Sequence, residues 1–278
     1  MIAMKKSILL FIFLVAASSA SVYAQQLVKV WETAPVLKTP ESVIYCPGND
    51  QIYVANINGN ASEKDGNGFI SILSSKGEVV NLEWVSGLHA PKGMGIYEGK
   101  LYVADIDQLV EIDMKAGKIV KKYDAPGAEF LNDVTVCPDG KVLVTDMMKK
   151  KIHMLKDGQF TEWFHSETFN RPNGLFAEKG KLYVGDQHIF VIDMPNKTME
   201  VLIEDAGGVD GLEKDNDGNF VFSHWAGRIF INKDGKTTKL FDSSEQNINS
   251  ADIDFASKLN LVLVPTFMDN RVVAYKLP

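Results

Sequence analysis

The sequence feature that most constrains the fold is a repeat of short strand-like runs about 40 residues apart. Each run is rich in β-branched and aromatic residues and follows a turn containing Gly, Asp, Asn or Lys. The six runs are Ile52–Asn56, Leu101–Asp105, Val142–Asp146, Leu182–Asp186, Phe220–His224 and Leu261–Pro265. This pattern is typical of an all-β protein built from repeated modules.

Most of the repeated units contain two further strand-like runs around a second turn. In the second unit, Gln108–Asp113 and Ile119–Tyr123 flank an Ala-Gly-Lys turn. In the third unit, Lys151–Leu155 and Gln159–Phe164 flank a Lys-Asp-Gly turn. Four strands in a unit of this length correspond to one blade of a β-propeller. We therefore predict a six-bladed β-propeller with four strands in each blade.

The two ends of the repeat region predict how the ring of blades closes. The last unit finishes with Arg271–Lys276, which is only its third strand. The segment Leu27–Glu32 resembles the outer strands of the other units and can supply the missing fourth strand. Pairing these segments would remove an exposed sheet edge. We therefore predict one domain, residues 25–278, closed by its N-terminal strand.

The first 24 residues are typical of a secretory signal peptide. Lys5 and Lys6 precede the apolar run Ile8–Ala17, and a Val-Tyr-Ala sequence ends at Ala24. An N-terminal membrane anchor is the alternative, but this run is too short to cross the ~30 Å hydrocarbon layer as a helix. We predict that residues 1–24 are removed and that the rest is exported to the periplasm or secreted, with no membrane attachment.

Net charge and cysteine content argue against two other classes of protein. The formal net charge of −7 argues against a nucleic-acid partner, because neutralising phosphates needs a basic face. Cys46 and Cys137 occupy equivalent first-strand positions in units that are not neighbours, which places them beyond disulfide reach. We expect both cysteines to be small buried hydrophobic side chains. The sequence leaves the oligomeric state open.

An insertion at residues 57–68 lengthens the first repeat. It lies between the second and third predicted strands of blade 1, in a loop that opens onto the same face as the start of each first strand. Two interpretations remain open: a rim or lid over a site on that face, and a solvated polar hairpin. The insertion lacks the spaced acidic ligands of an EF-hand loop.

Aligning the units on their first strands places six residues at the top of the central channel. These residues are Glu41, Lys92, Asn132, Asn173, Asp210 and Ala251. First strands converge near a propeller axis, so four of these side chains could bring carboxylate or amide oxygens into one coordination sphere. Such a donor set suits a hard divalent cation, Ca²⁺ before Mg²⁺ or Mn²⁺, better than Zn²⁺. Capping of strand starts and turns is the alternative role.

The ordered segments around these positions resemble the regucalcin (senescence marker protein)/gluconolactonase family. The segments are Pro40–Val43, Leu131–Asp133, Pro172–Leu175, Val209–Leu212 and Asp210–Arg228. The resemblance implies a six-bladed propeller with a divalent metal in its channel, and hydrolysis of sugar lactones. It also implies Glu41, Asn173 and Asp210 as metal ligands and Asn132 as a residue near the metal or substrate. Asp210 is the implied catalytic residue for proton transfer, with metal-activated water as the alternative.

Two positions depart from the family pattern. Phe130 stands where gluconolactonase-type members often carry an Arg, and Val134 stands where a Gly is expected. An Arg at position 130 would hold substrate hydroxyls. Its replacement by Phe130 argues against gluconolactone itself and favours a less polar substrate.

The ends of the second strands supply further candidates on the same face. Asn56, Asp105, Asp146 and Asp186 are each expected to be turn or blade-contact residues. His224 and Trp225 are predicted to bind substrate, because Trp offers an apolar face and His a group for proton transfer.

Two functions from different classes follow from these residues. The first is an exported, divalent-metal-dependent hydrolase of the gluconolactonase-like type, which opens a lactone or related ester of a small-molecule substrate by metal-assisted water attack. The alternative is a non-catalytic β-propeller that binds or scaffolds. The channel oxygens favour the first, whereas Lys92, the missing Arg and the export signal leave the second open. No Gly-x-Ser-x-Gly elbow or phosphate-binding loop occurs in the sequence.

Overall fold

Twenty-four strands form six four-stranded antiparallel sheets in the computed structural model, which describes residues 26–278. The sheets are the blades of a β-propeller, so the predicted fold is confirmed. The predicted signal peptide, residues 1–24, lies outside the described residues. None of the helices within residues 26–278 is long and apolar enough to cross a membrane.

The strands follow one another within each blade, from the channel to the rim. The first strand of the described residues is β1 (Val28–Glu32). Blade 1 comprises β2 (Pro40–Cys46), β3 (Gln51–Asn56), β4 (Gly68–Ser74) and β5 (Val79–Leu88). Blade 2 comprises β6 (Pro91–Tyr97), β7 (Lys100–Asp105), β8 (Gln108–Asp113) and β9 (Lys118–Asp124). Blade 3 comprises β10 (Leu131–Val136), β11 (Val142–Asp146), β12 (Lys151–Lys156) and β13 (Gln159–His165).

The second half of the ring has shorter first strands and two 3-10 turns. Blade 4 comprises β14 (Leu175–Glu178), β15 (Lys181–Gly185), β16 (Ile189–Asp193) and β17 (Thr198–Ile203). Blade 5 comprises β18 (Leu212–Lys214), β19 (Phe220–His224), β20 (Arg228–Lys233) and β21 (Lys236–Asp242). Blade 6 contains β22 (Asp254–Ala256), β23 (Leu261–Pro265) and β24 (Val272–Lys276). The 3-10 turns are Ser244–Gln246 and Phe267–Asp269.

The N-terminal strand closes the ring as predicted. β1 pairs antiparallel with β24, so blade 6 is built from both ends of the described chain. The innermost strands contact one another in the order β2, β6, β10, β14, β18 and β22, and β22 contacts β2 again. A parallel bridge between Ser42 and Asp252 joins blades 1 and 6 at the axis. Closure therefore brings residues about 40 apart in sequence into one central channel.

The hydrophobic core lies between neighbouring blades. Each of the six blade-to-blade interfaces contains its own cluster of buried aliphatic and aromatic side chains. Between blades 1 and 2, for example, Tyr53 and Ile70 pack with Leu101 and Val110. Burial of apolar area at each interface stabilises the ring and fixes the blade positions.

Carboxylate and amide side chains at the ends of the second strands hold the loops that lead into the first strand of the same blade. Asp146 accepts backbone N–H groups of Glu129 and Phe130, at 3.0 and 3.1 Å. Asp186 accepts those of Asn170 and Arg171, at 2.7 and 3.1 Å. Asp105 and Asn56 make corresponding bonds in blades 2 and 1. These side chains act as buried loop caps, in agreement with the turn-contact role expected from the sequence.

The insertion at residues 57–68 joins β3 to β4, as predicted. Most of its side chains are exposed, as a solvated hairpin would be. Its first residue, Ile57, is buried beside Ala90 and Ile106, and Ala61 packs against the same small cluster. Both interpretations are therefore partly correct, because an exposed loop is anchored at one end to the top of the channel.

The two cysteines are free thiols. Cys137 is buried, as expected, and lies 3.9 Å from the sulfur of Met194. Cys46 is only partly buried, so the expectation of a buried side chain is wrong for this residue. Cys46 is the last residue of β2, where the strand leaves the channel for an exposed turn.

Candidate active site

A cavity of about 420 Å³ opens at the end of the channel where the first strands begin. Five of the six residues predicted for the channel mouth line this cavity. They are Glu41, Lys92, Asn132, Asn173 and Asp210. The sixth, Ala251, is fully buried and accepts a hydrogen bond from Ser223 through its carbonyl oxygen. Strand register thus brings together side chains from five different blades.

The channel side chains stand at closely similar places in their blades. Glu41, Lys92 and Asn132 are each the second residue of a first strand. Asn173 and Asp210 precede β14 and β18 by two residues. The alignment of the six repeat units on their first strands therefore identifies the side chains that line the cavity.

Glycines follow two of these residues because neighbouring backbone leaves no room for a side chain. A Cβ atom on Gly174 would lie 2.5 Å from the carbonyl oxygen of Asp210. A Cβ atom on Gly211 would lie 2.3 Å from the backbone nitrogen of Ile253. The Asn-Gly and Asp-Gly pairs thus combine a polar side chain for the cavity with close contact between first strands.

Glu41 places an unpartnered carboxyl oxygen in this buried site. The residue is only 6% exposed, and its Oε2 atom has no hydrogen-bond partner among residues 26–278. Burial raises the pKa of Glu41 well above its usual value, and the nearby Asp210 carboxyl raises it further. The positive charge of Lys92 opposes this rise. A buried acceptor oxygen without a partner destabilises the folded protein unless a proton, a cation or a ligand binds to it.

Asp210 and Asn173 form a hydrogen-bonded pair at the cavity. The Nδ2 group of Asn173 donates to Oδ1 of Asp210 at 2.6 Å. Burial raises the pKa of Asp210 to about 7, and the bond from Asn173 acts in the opposite direction. The bond fixes one oxygen of Asp210 and leaves the second free for another partner.

Lys92 contributes a buried cation to the same cavity. Its side chain is 1% exposed, and Nζ donates to the carbonyl oxygens of Ala61 and Ala90 at 3.0 and 2.9 Å. Burial lowers its pKa to about 8, although Glu41 opposes that shift. Nζ also lies 4.4 Å from the centroid of the Phe130 ring, within cation–π distance. Lys92 therefore connects the 57–68 insertion to the cavity.

The oxygen-rich donor set fits a hard divalent cation. The orphan Oε2 of Glu41 and the free oxygen of Asp210 supply acceptors, and Asn132 and Asn173 carry amide oxygens. Within the described chain, no three His, Cys, Asp or Glu side chains converge in a metal-binding arrangement. A cation here would therefore need the amide oxygens as well as the two carboxylates, a combination that Ca²⁺ accepts.

The predicted substrate residues are placed differently from one another. Asn132 lines the cavity, and its Nδ2 contacts the sulfur of Met147 at 3.7 Å. Trp225 also lines it and is 48% exposed. His224 is not among the lining residues of the described chain, because its Nε2 bonds the carbonyl oxygen of Ala206 at 2.5 Å. His224 thus fixes the loop that precedes the first strand of blade 5, as the carboxylates at the ends of the second strands do in other blades.

The lining residues that the sequence reasoning missed include Arg171, Met147 and Phe267. Arg171 stands two residues before Asn173, just as Phe130 stands two residues before Asn132. The position that lacks an Arg in blade 3 therefore has one in blade 4, and this register could have been read from the sequence. Phe267 comes from the turn between β23 and β24, where no repeat pattern predicts side-chain direction.

A second cavity of about 200 Å³ lies between the first strands of several blades. Four acidic residues line it: Asp133, Glu213, Asp252 and Asp254. Burial is the main cause of a raised pKa in all four, and the pKa of Asp133 and of Asp254 is raised to about 7. The alignment of the six repeat units did not identify these four acidic residues, because it considered only the positions at the channel mouth.

Solved structures with low sequence identity share this fold. A streptogramin B lyase is 14% identical over 91% of this chain and 97% of that one, with a TM-score of 0.63. A catalytically inactive virginiamycin B lyase from Staphylococcus aureus, solved with quinupristin, is 13% identical over 91% and 99%, with a TM-score of 0.60. A structural-genomics target described as a gluconolactonase is 15% identical over 91% and 92%, with a TM-score of 0.67.

Sequence comparison adds no closer relationship. No protein-family model and no curated protein matches the chain. The chain therefore shares a six-bladed propeller fold with lyases and with a protein described as a gluconolactonase, and such a fold is compatible with more than one activity.

Proposed function

We propose that this protein is a divalent-metal-dependent hydrolase that opens a lactone or related ester. The observation that carries the proposal is the convergence of Glu41, Asn132, Asn173 and Asp210 on one cavity. Glu41 brings a buried carboxyl oxygen without a partner, and Asp210 brings one that is free. The structural likeness to a protein described as a gluconolactonase is consistent with this proposal.

In the proposed mechanism, Glu41, Asn173 and Asp210 hold the cation. When bound, the cation supplies Lewis-acid polarisation of the ester carbonyl. Water adds to the carbonyl carbon, Asp210 accepts a proton from it, and that proton passes to the alkoxide released as the ester C–O bond breaks. Asn173 holds the Asp210 carboxylate in place through the 2.6 Å hydrogen bond. Asn132 positions the substrate.

Chelation should abolish this activity reversibly. The purified chain would be assayed against a panel of aliphatic and sugar lactones, before and after treatment with EDTA. We expect hydrolysis to fall at least about 100-fold without a divalent ion and to return with Ca²⁺, Mg²⁺ or Mn²⁺. Spontaneous lactone opening in the same buffers is the control. Full activity after complete removal of metal would contradict the proposal.

Lys92 favours a second candidate, a non-catalytic propeller that binds a small molecule. Its buried ammonium group already places a positive charge near Glu41. If the protein binds a ligand in the cavity but opens no lactone of the panel with any metal, the binding function replaces the hydrolase. The same panel therefore separates the two candidates.

We also propose that the protein works outside the cytoplasm. Support comes from the basic, apolar and small-residue segments of the first 24 residues. Expression of the full chain in a Gram-negative host should give a product that begins at Gln25 in the periplasmic or extracellular fraction. Mass spectrometry of the intact protein measures this directly. A cytoplasmic product that retains residues 1–24 would refute export.

A further inference from the structure

The cavity has a polar floor and largely apolar walls. The floor is formed by buried residues, among them Glu41 and Asp210, which are each 6% exposed. Phe130, Met147 and Phe267 also line the cavity and are only partly buried, so they lie closer to its mouth. A ligand that reaches the floor must therefore pass hydrophobic side chains.

Trp225 and Phe267 form an open aromatic corner in this wall. Their ring centroids are 5.5 Å apart at an interplanar angle of 77°, an edge-to-face arrangement. Trp225 remains 48% exposed, which leaves much of its indole without a protein partner. Exposed hydrophobic residues of other blades lie mainly on outer strands, whereas Met148 and Met268 directly follow lining residues of this cavity. Trp225, Met148 and Met268 are thus three exposed hydrophobic residues at or directly beside this cavity.

The backbone at Phe267 supports a functional reason for this corner. Phe267 has φ of +50°, in the left-handed region that a bulky residue rarely adopts. Such strain persists only where the surroundings impose it, and it is frequent at ligand sites. On the opposite wall, the contact with Lys92 restrains the Phe130 ring. Two apolar walls are therefore in place before any ligand enters.

We propose that the substrate is a lactone or ester carrying a hydrophobic alkyl or aryl substituent, which packs against Trp225 and Phe267 while the ester group reaches the polar floor. This inference rests on the proposed hydrolase function. The cavity volume of about 420 Å³ lies in the range of small-molecule sites. A polyhydroxylated ring would bury hydroxyl groups against Phe130 and Trp225 without partners, which is unfavourable. Three exposed polar residues, Asn170, Arg171 and Gln187, also line the cavity and can contact the polar part of the ligand.

A pair of lactones that differ in one alkyl chain tests this inference. The wild-type protein should hydrolyse a pentyl-substituted γ-lactone with kcat/KM at least about tenfold above that of unsubstituted γ-butyrolactone, since each fully buried methylene is worth about fourfold. Trp225→Ala should remove most of this preference, and Trp225→Phe should retain it. Leu202→Ala is the matched control, because Leu202 is 45% exposed on the outer strand β17. The ratio between substrates cancels any change in the amount of active enzyme.

Binding of the corresponding lactams separates this inference from the proposed function. Lactams keep the ring and the carbonyl but resist hydrolysis, so calorimetry reports the alkyl preference without catalysis. A preference that depends on Trp225, with no lactone opened, supports the hydrophobic site and defeats the hydrolase proposal. Equal affinity for short and long chains, an unchanged preference in Trp225→Ala, or a higher kcat/KM for glucono-δ-lactone would each overturn the inference.

Discussion

Replacing Asp210 by Asn should remove divalent-cation binding and lactone hydrolysis together while the propeller stays folded. The substitution removes one of the two carboxylates at the cavity and keeps an oxygen that can accept the 2.6 Å bond from Asn173. Loss of a direct ligand should weaken cation affinity at least about 100-fold, because even changes to outer-shell partners cost 10–100-fold. Activity should fall at least as far, since the proposed proton acceptor is lost with the ligand.

Folding of the Asp210→Asn variant is expected to be intact for an electrostatic reason. Burial raises the pKa of Asp210 to about 7, so the native cavity already disfavours its charged form. A neutral amide of the same shape avoids that penalty. In the presence of chelator, the melting temperature of the variant should equal or exceed that of the wild type.

Isothermal titration calorimetry with Ca²⁺, Mg²⁺ and Mn²⁺ measures the loss of cation affinity, and the lactone assay measures the loss of hydrolysis. Glu200→Gln is the control, because it removes an equal charge from an exposed position on β17. Glu41→Gln should behave like Asp210→Asn, since the orphan Oε2 of Glu41 is the other carboxyl donor. Equal cation affinity in wild type and Asp210→Asn would remove Asp210 from the ligand set.

The sequence predicted the fold because each blade is a local structure. Hairpins with Gly, Asp and Asn turns recur at a regular spacing, and a meander of four strands needs no distant information to form. The pairing of β1 with β24 was the one long-range strand pairing that we predicted. It followed from counting strands, since the last unit lacked one and the first segment had no other partner.

The sequence also predicted which residues meet at the channel mouth, because convergence at the axis is a property of the topology. Glu41, Lys92 and Asn132 stand at one register position, so a single alignment placed all three. Side-chain direction at loops was not predictable in this way. His224 bonds Ala206, and Phe267 turns toward the cavity from a strained 3-10 turn.

The buried surroundings of charged residues could not be predicted from spacing. Lys92 was expected at the channel, but its bonds to Ala61 and Ala90 depend on how the insertion folds over it. The acidic residues of the second cavity lie one to three positions beyond the aligned ones, where strand alternation alone does not say which side chains share a cavity. Their pKa values are set by burial, which is a tertiary property.

Replacing Asp254 by Asn should stabilise the protein at pH 8 and leave its stability nearly unchanged near pH 4. Burial in the second cavity raises the pKa of Asp254 from 3.8 to about 7. The unfolded chain therefore loses this proton near pH 4, whereas the folded protein holds it until about pH 7. The stability associated with the protonated carboxyl is complete below about pH 4 and is lost as the pH rises toward 7.

The expected size of this effect follows from the shift in pKa. A difference of about three pKa units corresponds to about 4 kcal/mol in the free energy of unfolding at pH 8. For a domain of this size we expect the variant to melt at least about 5 °C higher than the wild type at pH 8. The amide oxygen of the variant can still accept the 2.8 Å bond from the backbone N–H of Tyr45, so the fold should not lose that contact.

Thermal melts of the two proteins at several pH values between 4 and 8, all with chelator, measure this difference. Shifted pKa values of groups away from Asp254, such as His153, His224 and Lys92, also make stability depend on pH, but they are common to both proteins and cancel in the difference. The pKa of Glu213 does not cancel, because the charge of Asp254 raises it in the wild type only, and the loss of that charge stabilises the variant in the same direction. Glu83→Gln, on the exposed side of β5, is the control for loss of one negative charge. A melting-temperature difference that stays constant with pH would mean that Asp254 ionises normally in the folded protein. In that case, burial of the Asp254 carboxyl in the second cavity would not limit the stability of the ring at neutral pH.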